Sequence, residues 1–573
     1  MRLSCVIALL CCTLFTQAQT LRLGPDKIKS LDSLFKVQFP ATDPGVVVIV
    51  AQDGKPFYRK AFGMSDLERN VPLRTEDKLG IGSISKQFAA VAILLLQQDG
   101  KLTIKDDIRK YLPAYNTYGR TITIEHILSH TSGIPSYTEL YGFDTLANRT
   151  ISNHQLVKFF ESRPLLFEPG SNWSYSNSGF VLAALIVEKI TGAPFNDFLR
   201  DRIFKPLMMT ETSIGSSEYA LPGKTNEYSG PTPKGRIKME NQYNWYWAYG
   251  AGQIISTVDD MLKWDDALYN PGFLRPDLLA LAHRSFILSS GAPANYGLGW
   301  AIGPMGNLTV VRHGGAIGGY RAEGIRIPQD HLYLLILSNA ATTNSGLLTN
   351  RMLSILYDKP GLKENKTIQQ SWKGLEGSYE SLNAGSRLQS NFGSKPAFIT
   401  LRVDSLNRIT AQRTGGTATS LSVAGRDSLF DRNNPYTLWT VERQADGSVS
   451  GFRVSSVMPS SGPSRFNRKI NSSLPASRQP EKTDSLSLVK YTGTFTDPFG
   501  ERARILIDKG QLYVEESLVG QRTALHPLNS KTFWIRETDT EVYFDQDTKG
   551  KITGLRYFSG SYDIVLRRVE EIY

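Results

Sequence analysis

The chain changes rhythm near residue 370. Before that point, apolar residues recur at helical spacing or gather in short unbroken runs. DKIKSLDSLFKVQF (26–39) has the three- and four-residue steps of an amphipathic helix. PGVVVIVAQDGKPFYRKAFG (44–63) gives two strands around Asp53-Gly54, a strong hairpin signal. AAVAILLLQQ, following Lys86 and running to about Gln98, is apolar on most faces and predicts a buried helix. SGFVLAALIVEKITG (178–192) predicts a second, with Gly192 at its end. GNLTVVRHGG (306–315) and IRIPQDHLYLLILSN (325–339) read as strands, and MLSILYDK as a closing helix. GGAIGG (314–319) does not open a helix after a strand as a dinucleotide site would, and reads as tight turns. Strands at both ends with helices between predict an α/β (α+β) domain whose sheet joins its N- and C-terminal segments, over about 26–360.

From Trp372 helical periodicity fades. Short alternating strands with Gly, Asn and Asp turns take over, and they repeat. Leu375-Glu376-Gly377-Ser378-Tyr379 resembles Tyr491-Thr492-Gly493-Thr494-Phe495, and DGSVSGFRV (446–454) resembles KGKITGLRY (549–557). INSSLPASRQPEKTDS (470–485) separates the copies and has the composition of a linker. Two small all-β, barrel-like domains are therefore expected over 371–469 and 487–573. Two copies are too few for a propeller or solenoid.

Composition narrows the picture. The 573 residues are 40% hydrophobic and 21% charged, as in globular proteins. The net charge of +11 is spread along the chain without a Lys/Arg block, which argues against a nucleic-acid partner. MRLSCVIALLCCTLFTQA (1–18) has Arg2, an apolar run and small residues before the expected cut after Ala18. It reads as a secretory signal, too short to span a bilayer at ~20 residues. Export to the periplasm or the exterior is expected, with no transmembrane segment in the mature chain. All three cysteines (Cys5, Cys11, Cys12) lie in this segment, so the mature chain has no thiol nucleophile, thiolate ligand or disulfide.

The candidate chemistry begins with GIGSISKQF (80–88). Ser-x-x-Lys occurs three times, at Ser33/Lys36, Ser83/Lys86 and Ser487/Lys490, where roughly two are expected by chance. The first lies on an amphipathic helix and reads as a solvated face, the third as a surface strand. Only Ser83 opens a long buried helix, with Lys86 one turn on and on the same side. A serine hydroxyl needs a base to become a nucleophile. Lysine serves only when burial or a neighbouring cation destabilises its ammonium form. Other chemistries lack support. There is no Gly-x-Ser-x-Gly elbow and no His-Glu-x-x-His. His126 and His130 are four apart without a carboxylate at a matching step, and read as packing residues. No cofactor or metal is implied.

Ser83-Ile84-Ser85-Lys86, Tyr175-Ser176-Asn177 and His313-Gly314-Gly315, in that order, resemble the motifs of the serine β-lactamase and penicillin-binding-protein superfamily, nearest its class C-like branch. ILSHTSGIPSY (127–137), FEPGSNWSYSNSGFVLAALIVEKITG (167–192), GAGQIISTVDDMLKW (250–264) and NYGLGW (295–300) resemble family segments as well. The resemblance covers about 27–358. It implies Ser83 as the acylated nucleophile, Lys86 as its base and Tyr175 as a second acid/base group, and leaves open which of the two takes the first proton. It implies that Asn177 holds Lys86 and the substrate amide, that His313, Gly314 and Gly315 line the substrate, and that the backbone N–H groups of Ser83 and Ala316 form the oxyanion hole. Many relatives have Lys-Thr-Gly where this chain has His-Gly-Gly. Histidine lacks a fixed charge at neutral pH, which weakens the case for a dedicated β-lactamase. The expected function is an exported serine hydrolase acting through an acyl-serine on amides or esters, with D-residue peptides, small or cell-wall derived, as the leading substrate class. A carboxylesterase, a class C-like β-lactamase and a non-catalytic peptidoglycan-binding protein are the alternatives. The domain order resembles that of D-aminopeptidases of the superfamily, in which one barrel sends a loop to the active site.

Overall fold

The computed structural model describes residues 24–140, 143, 150–215, 224–232, 235–239, 245–305, 307–368, 370–381, 398–413, 418–456, 465–471, 485–496, 502–516, 522–535, 540–559 and 562–569. The expected signal segment and all but the ends of the expected linker lie outside them.

The first domain is built on a six-stranded antiparallel sheet. Its strands are β1 (Val46–Gln52), β2 (Lys55–Phe62), β3 (Ala301–Met305), β4 (Leu308–Ile317), β5 (Tyr320–Ile327) and β6 (Leu332–Ser338), in the order β3-β4-β5-β6-β1-β2. The seam between the chain's two ends is β1 on β6, from Val46↔Ser338 to Gln52↔Leu332. Both faces of this sheet are covered, which explains the unbroken apolar runs in VVVIVA and LYLLIL. Val47, Ile49, Leu335 and Leu337 enter the larger core, with helices α2 (Ser85–Gln98) and α3 (Asn177–Thr191). Val46, Val48, Val50, Leu334 and Ile336 enter the opposite core, under α1 (Pro25–Gln38) and α5 (Ser345–Leu356). A further helix, α4 (Val258–Ala267), packs on the first side, where Met261 and Trp264 are buried. The Asp53-Gly54 hairpin and the two apolar helices form as the pattern predicts.

The two C-terminal domains are closed eight-stranded barrels, which a sequence rich in short alternating strands makes by removing both sheet edges. Gly377–Ser381 closes on Arg465–Asn471 in one, and Gly493–Thr496 on Tyr562–Arg568 in the other. The internal repeat is structural. Each barrel opens with a 3-10 turn, Lys373–Leu375 or Val489–Tyr491, followed by a glycine at φ 139° (Gly377, Gly493). The first barrel is joined to the first domain on the α1/α5 side of the sheet. Tyr436 enters that core, Pro435 O accepts from Leu362 N at 2.8 Å, and Arg432 pairs with Glu364 at 2.9 Å.

Two expectations need correction. Ser487 and Lys490 lie on a short helical segment (Ser485–Leu488, then Val489–Tyr491), not a strand, because Leu488 and Tyr491 sit three residues apart and both enter the barrel core. GGAIGG is not a set of turns. Gly314 through Ile317 continue β4, and only Gly318-Gly319 turn the chain into β5. Gly315 is small because the backbone comes too close for anything larger: a Cβ there would stand 2.0 Å from Ile81 O. Gly314 is less confined, since its Cβ would meet the far end of the Glu323 side chain at 2.7 Å. Gly315→Ala should therefore lower the stability of the catalytic domain by about 1–3 kcal/mol, the usual cost of overpacking, and Gly314→Ala by less. Urea unfolding followed by tryptophan fluorescence checks the order, and equal midpoints for the two variants would contradict it.

Candidate active site

Ser83 sits in a one-turn 3-10 helix, Gly82–Ile84, that runs directly into α2. The sequence forces this turn into place. Gly82 has φ 51°, and a Cβ on it would lie 2.5 Å from Ala316 N, so neither the conformation nor the space admits a side chain. Ile81 N donates to Ile254 O at 3.0 Å, and Ile254 N donates to Ser85 Oγ at 3.1 Å. The turn is thus pinned between the strand Ile254–Ser256 and the end of β4. Ala316 N lies against the residue that precedes Ser83. Beyond Arg312, which pairs with Ala301, β4 is paired among the described residues with β5 on one side only.

Lys86 is 0% exposed. Its Nζ lies 3.0 Å from Ser83 Oγ, 2.7 Å from Asn177 Oδ1 and 2.7 Å from Ala251 O. None of these partners is a carboxylate. Burial therefore pushes its pKa well below that of an ordinary lysine. The rings of Tyr175 and Phe180 lie 4.9 and 5.4 Å from Nζ. The same burial acts oppositely on Tyr175, whose phenol is pushed above its ordinary pKa. The adjacent Ser83 hydroxyl, hydrogen-bonded to it, offsets part of that rise.

Asn177 opens α3 with its amide fully engaged. Oδ1 takes the Lys86 hydrogen bond, and Nδ2 donates to Ser136 Oγ at 3.3 Å and Thr138 Oγ1 at 2.9 Å. Those two hydroxyls hold the far end of the amide. His313 is 5% exposed, and both its nitrogens are committed. Nδ1 is 2.6 Å from Gly314 O, so it carries the proton, and Nε2 is left to accept from the Tyr296 hydroxyl at 2.7 Å. Burial and the nearby Lys86 push its pKa down to about 3, so the ring is neutral. At this position the chain offers the cleft no fixed positive charge.

Ser83, Lys86, Tyr175, Asn177, His313 and the Gly314–Ala316 edge thus come together in one place. Among the described residues, the hydrogen bonds and ring contacts of Ser83, Lys86, Tyr175 and His313 all come from the catalytic domain. Sequence reasoning missed Ser136, Thr138, Tyr296 and the Ala251 carbonyl. It gave His130 and His126 only packing roles. His126 Nδ1 accepts from Thr123 N at 3.3 Å as part of a helix cap. His130 lies under Tyr175. The signal present was the run Ser129-His130-Thr131-Ser132, polar yet wholly buried.

A family model described as Beta-lactamase matches residues 38–358, more than half of the chain. A second, a domain of unknown function (DUF3471), matches 477–567, over the second barrel. Penicillin-binding protein 4* of Bacillus subtilis is 28% identical over 389 residues, covering 63% of this chain and 83% of that protein. Protein flp of Staphylococcus aureus is 27% identical over 329 residues, covering 56% of this chain and 64% of that protein. Among solved structures, an octameric penicillin-binding protein homologue from Pyrococcus abyssi is similar with a TM-score of 0.55 at 20% identity, over 78% of this chain and 100% of that one. D-amino acid amidase from Ochrobactrum anthropi SV3 gives 0.52 at 21%, over 58% and 100%. At those identities the two structures speak for the fold. With the sequence match over the whole catalytic domain, the chain belongs to the β-lactamase and penicillin-binding-protein family of serine hydrolases.

Proposed function

We propose that this protein is an exported hydrolase that acylates Ser83 with amide or ester substrates, with short peptides or amides carrying D-residues as the preferred class. What carries the mechanism is the hydrogen-bond inventory of Lys86. Two of its three partners, Asn177 Oδ1 and Ala251 O, can only accept. A neutral amine has two hydrogens, which these oxygens use, and one lone pair, which is left for the Ser83 hydroxyl. An ammonium would give its third hydrogen to Ser83 Oγ; once burial leaves the amine neutral, that lone pair makes Lys86 the base for acylation, with protonated Tyr175 the acid.

The steps balance as follows. Ser83 Oγ attacks the acyl carbon while its proton passes to Lys86 Nζ. The oxyanion is received by the N–H groups of Ser83 and Ala316, donors of a kind worth about 3 kcal/mol each in a transition state. The C–N bond breaks as the Tyr175 phenol protonates the departing amine, and the Lys86 ammonium returns that proton to the phenolate. Water then attacks the acyl carbon and gives a proton to the same pair, which returns it to Ser83 Oγ as the ester C–O bond breaks. The net change is amide plus water to acid plus amine.

The preference for D-peptides over β-lactams rests on the neutral, committed His313. A β-lactam's carboxylate finds no fixed cation there. The free edge of β4 after Arg312 suits an extended substrate laid beside it. The barrels, the first attached to the far face of the sheet, would serve attachment to the cell wall or spacing from it.

The direct test compares purified protein with Ser83→Ala on a D-alanyl anilide, a D-Ala-D-Ala peptide, a short-chain aryl ester and a chromogenic cephalosporin. Turnover of a D-substrate should exceed that of the cephalosporin and fall roughly 10⁴-fold or more in the variant. Cephalosporin hydrolysis alone would overturn the substrate class, and turnover of none would favour a binding protein.

The protonation state has its own checks. Activity requires neutral Lys86, so kcat/KM should fall on the acid side as the depressed pKa is crossed. Stability should follow the same group. Between that depressed pKa and the ordinary value near ~10.4, the unfolded chain binds the extra proton, so folding is favoured as pH rises. The stability of the wild type relative to Lys86→Met should therefore climb by about 1.4 kcal/mol per pH unit within that window. A flat difference would mean that Lys86 is charged in the fold. Thr138→Val, which removes an acceptor from the Asn177 amide, should lower kcat by about tenfold, with Thr138→Ser restoring it in steady-state assays.

A further inference from the structure

His130 follows the short helix Ile124–Leu128 with φ 62°, a left-handed value uncommon outside glycine. In that conformation it offers two acceptors to one stretch of chain. Its carbonyl accepts from Ser174 N at 3.0 Å, and its Nδ1 accepts from Ser176 N at 3.0 Å. Those two N–H groups flank Tyr175. The imidazole also lies against the phenol, with ring centroids 4.2 Å apart. We propose that His130 is the positioning residue for Tyr175: it clamps the backbone on both sides of the tyrosine and supports its ring, so that the hydroxyl stays on Ser83.

This proposal rests on the acyl-serine reading above, and goes beyond it in assigning work to a residue that does not touch the reacting atoms. A ring that merely filled space would not need an acceptor at Nδ1, nor a left-handed backbone. The clamp also sets the tautomer. A nitrogen that accepts cannot carry a proton, so the neutral ring is protonated at Nε2, which has no hydrogen-bond partner among the described residues. The rings of Tyr296, Phe180 and Trp173 enclose it at 4.6, 5.3 and 6.0 Å. The titratable groups facing it are Tyr175, Tyr296, Lys86 from α2 and His313 from β4, and no carboxylate is among them. Burial first, then Lys86 and His313, hold its pKa well below that of an ordinary histidine. A proton on Nδ1 would set N–H against the N–H of Ser176 and open one side of the clamp.

The test compares His130→Asn with His130→Phe. Asparagine tolerates the left-handed backbone, and its Oδ1 falls near the position of Nδ1, so the clamp is kept. Phenylalanine fills the space and removes the acceptor. Two substrates separate proton delivery from folding: an anilide, whose amine must be protonated as it leaves, and a 4-nitrophenyl ester, whose phenolate leaves unaided. In His130→Phe, kcat/KM for the anilide should fall roughly 100-fold, the effect of a misplaced catalytic group. The loss should lie in kcat, with KM little changed, and the ester should lose less than about tenfold. His130→Asn should restore the anilide rate to within about tenfold of the wild type. Equal losses on both substrates, or Asn no better than Phe, would overturn the clamp. Should the wild type hydrolyse neither substrate, the acyl-serine reading fails, and the clamp is decided by ¹⁵N-histidine NMR of the intact protein. That spectrum should give His130, identified by its loss in His130→Asn, as the Nε2–H tautomer, still unprotonated below the range in which an ordinary histidine titrates. An Nδ1–H tautomer, or titration near the ordinary value, would refute it.

Discussion

A lysine amine with no exposed surface, held by a serine, an amide oxygen and a backbone carbonyl, is the constraint on which the catalytic domain depends. Each partner comes from a different part of the chain, so satisfying the amine fixes three elements at once. Ser83 brings the start of α2, Asn177 the start of α3, and Ala251 the loop before the strand Ile254–Ser256. An unsatisfied amine in that position would cost several kcal/mol. The packing of apolar α2 against α3 brings these elements together, and the polar contacts decide their register.

The surroundings of the lysine follow from how near the backbone must come. For Ser83 to face the end of β4, Gly82 and Gly315 bring two backbone segments into contact with no side chain between them. That leaves room for a carbonyl and an attacking oxygen beside Ala316 N. His313, one pleat back, then points into the core, where Tyr296 takes its second nitrogen. Its neutrality is a consequence of where the strand runs.

Much of this was legible in the residues. Unbroken apolar runs gave β1 and β6, helical spacing gave α1, and the repeated Gly-x-Tyr and Gly-x-Phe pieces foretold two barrels of one kind. Ser83 stood out among three Ser-x-x-Lys matches because only its helix was apolar throughout. In the fold, Ser33, Lys36, Ser487 and Lys490 are all exposed. What failed to show was set by tertiary neighbours. Gly314-Gly315 carries the same letters as a turn, and only the Ile81 carbonyl tells close approach from bending. Ser136 and His130 lie in irregular chain and Thr138 in a single 3-10 turn, Tyr137–Glu139, too short for a period to mark which residues face inward. Their role depends on Asn177 and Tyr175, about 40 residues away.

One physical cause produces both halves of the acid–base pair. Burial disfavours charge, so it lowers the pKa of Lys86 and raises that of Tyr175. The amine is left able to take a proton and the phenol able to give one, without a carboxylate between them. In the proposed acylation the resting site would be neutral, and the attack of Ser83 would create both charges at once, a negative oxygen at the backbone N–H groups and a positive nitrogen at Lys86. In a poorly polarisable pocket, opposite charges formed a few ångströms apart attract far more strongly than in water. The groups that receive them are already in place, so little reorganisation accompanies the step. A carboxylate paired with Lys86 would fix the ammonium form and forfeit the base. An exposed lysine would be charged by the solvent to the same effect. Full burial among neutral acceptors is what would let a serine and a lysine one helical turn apart act as nucleophile and base, as proposed for Ser83 and Lys86.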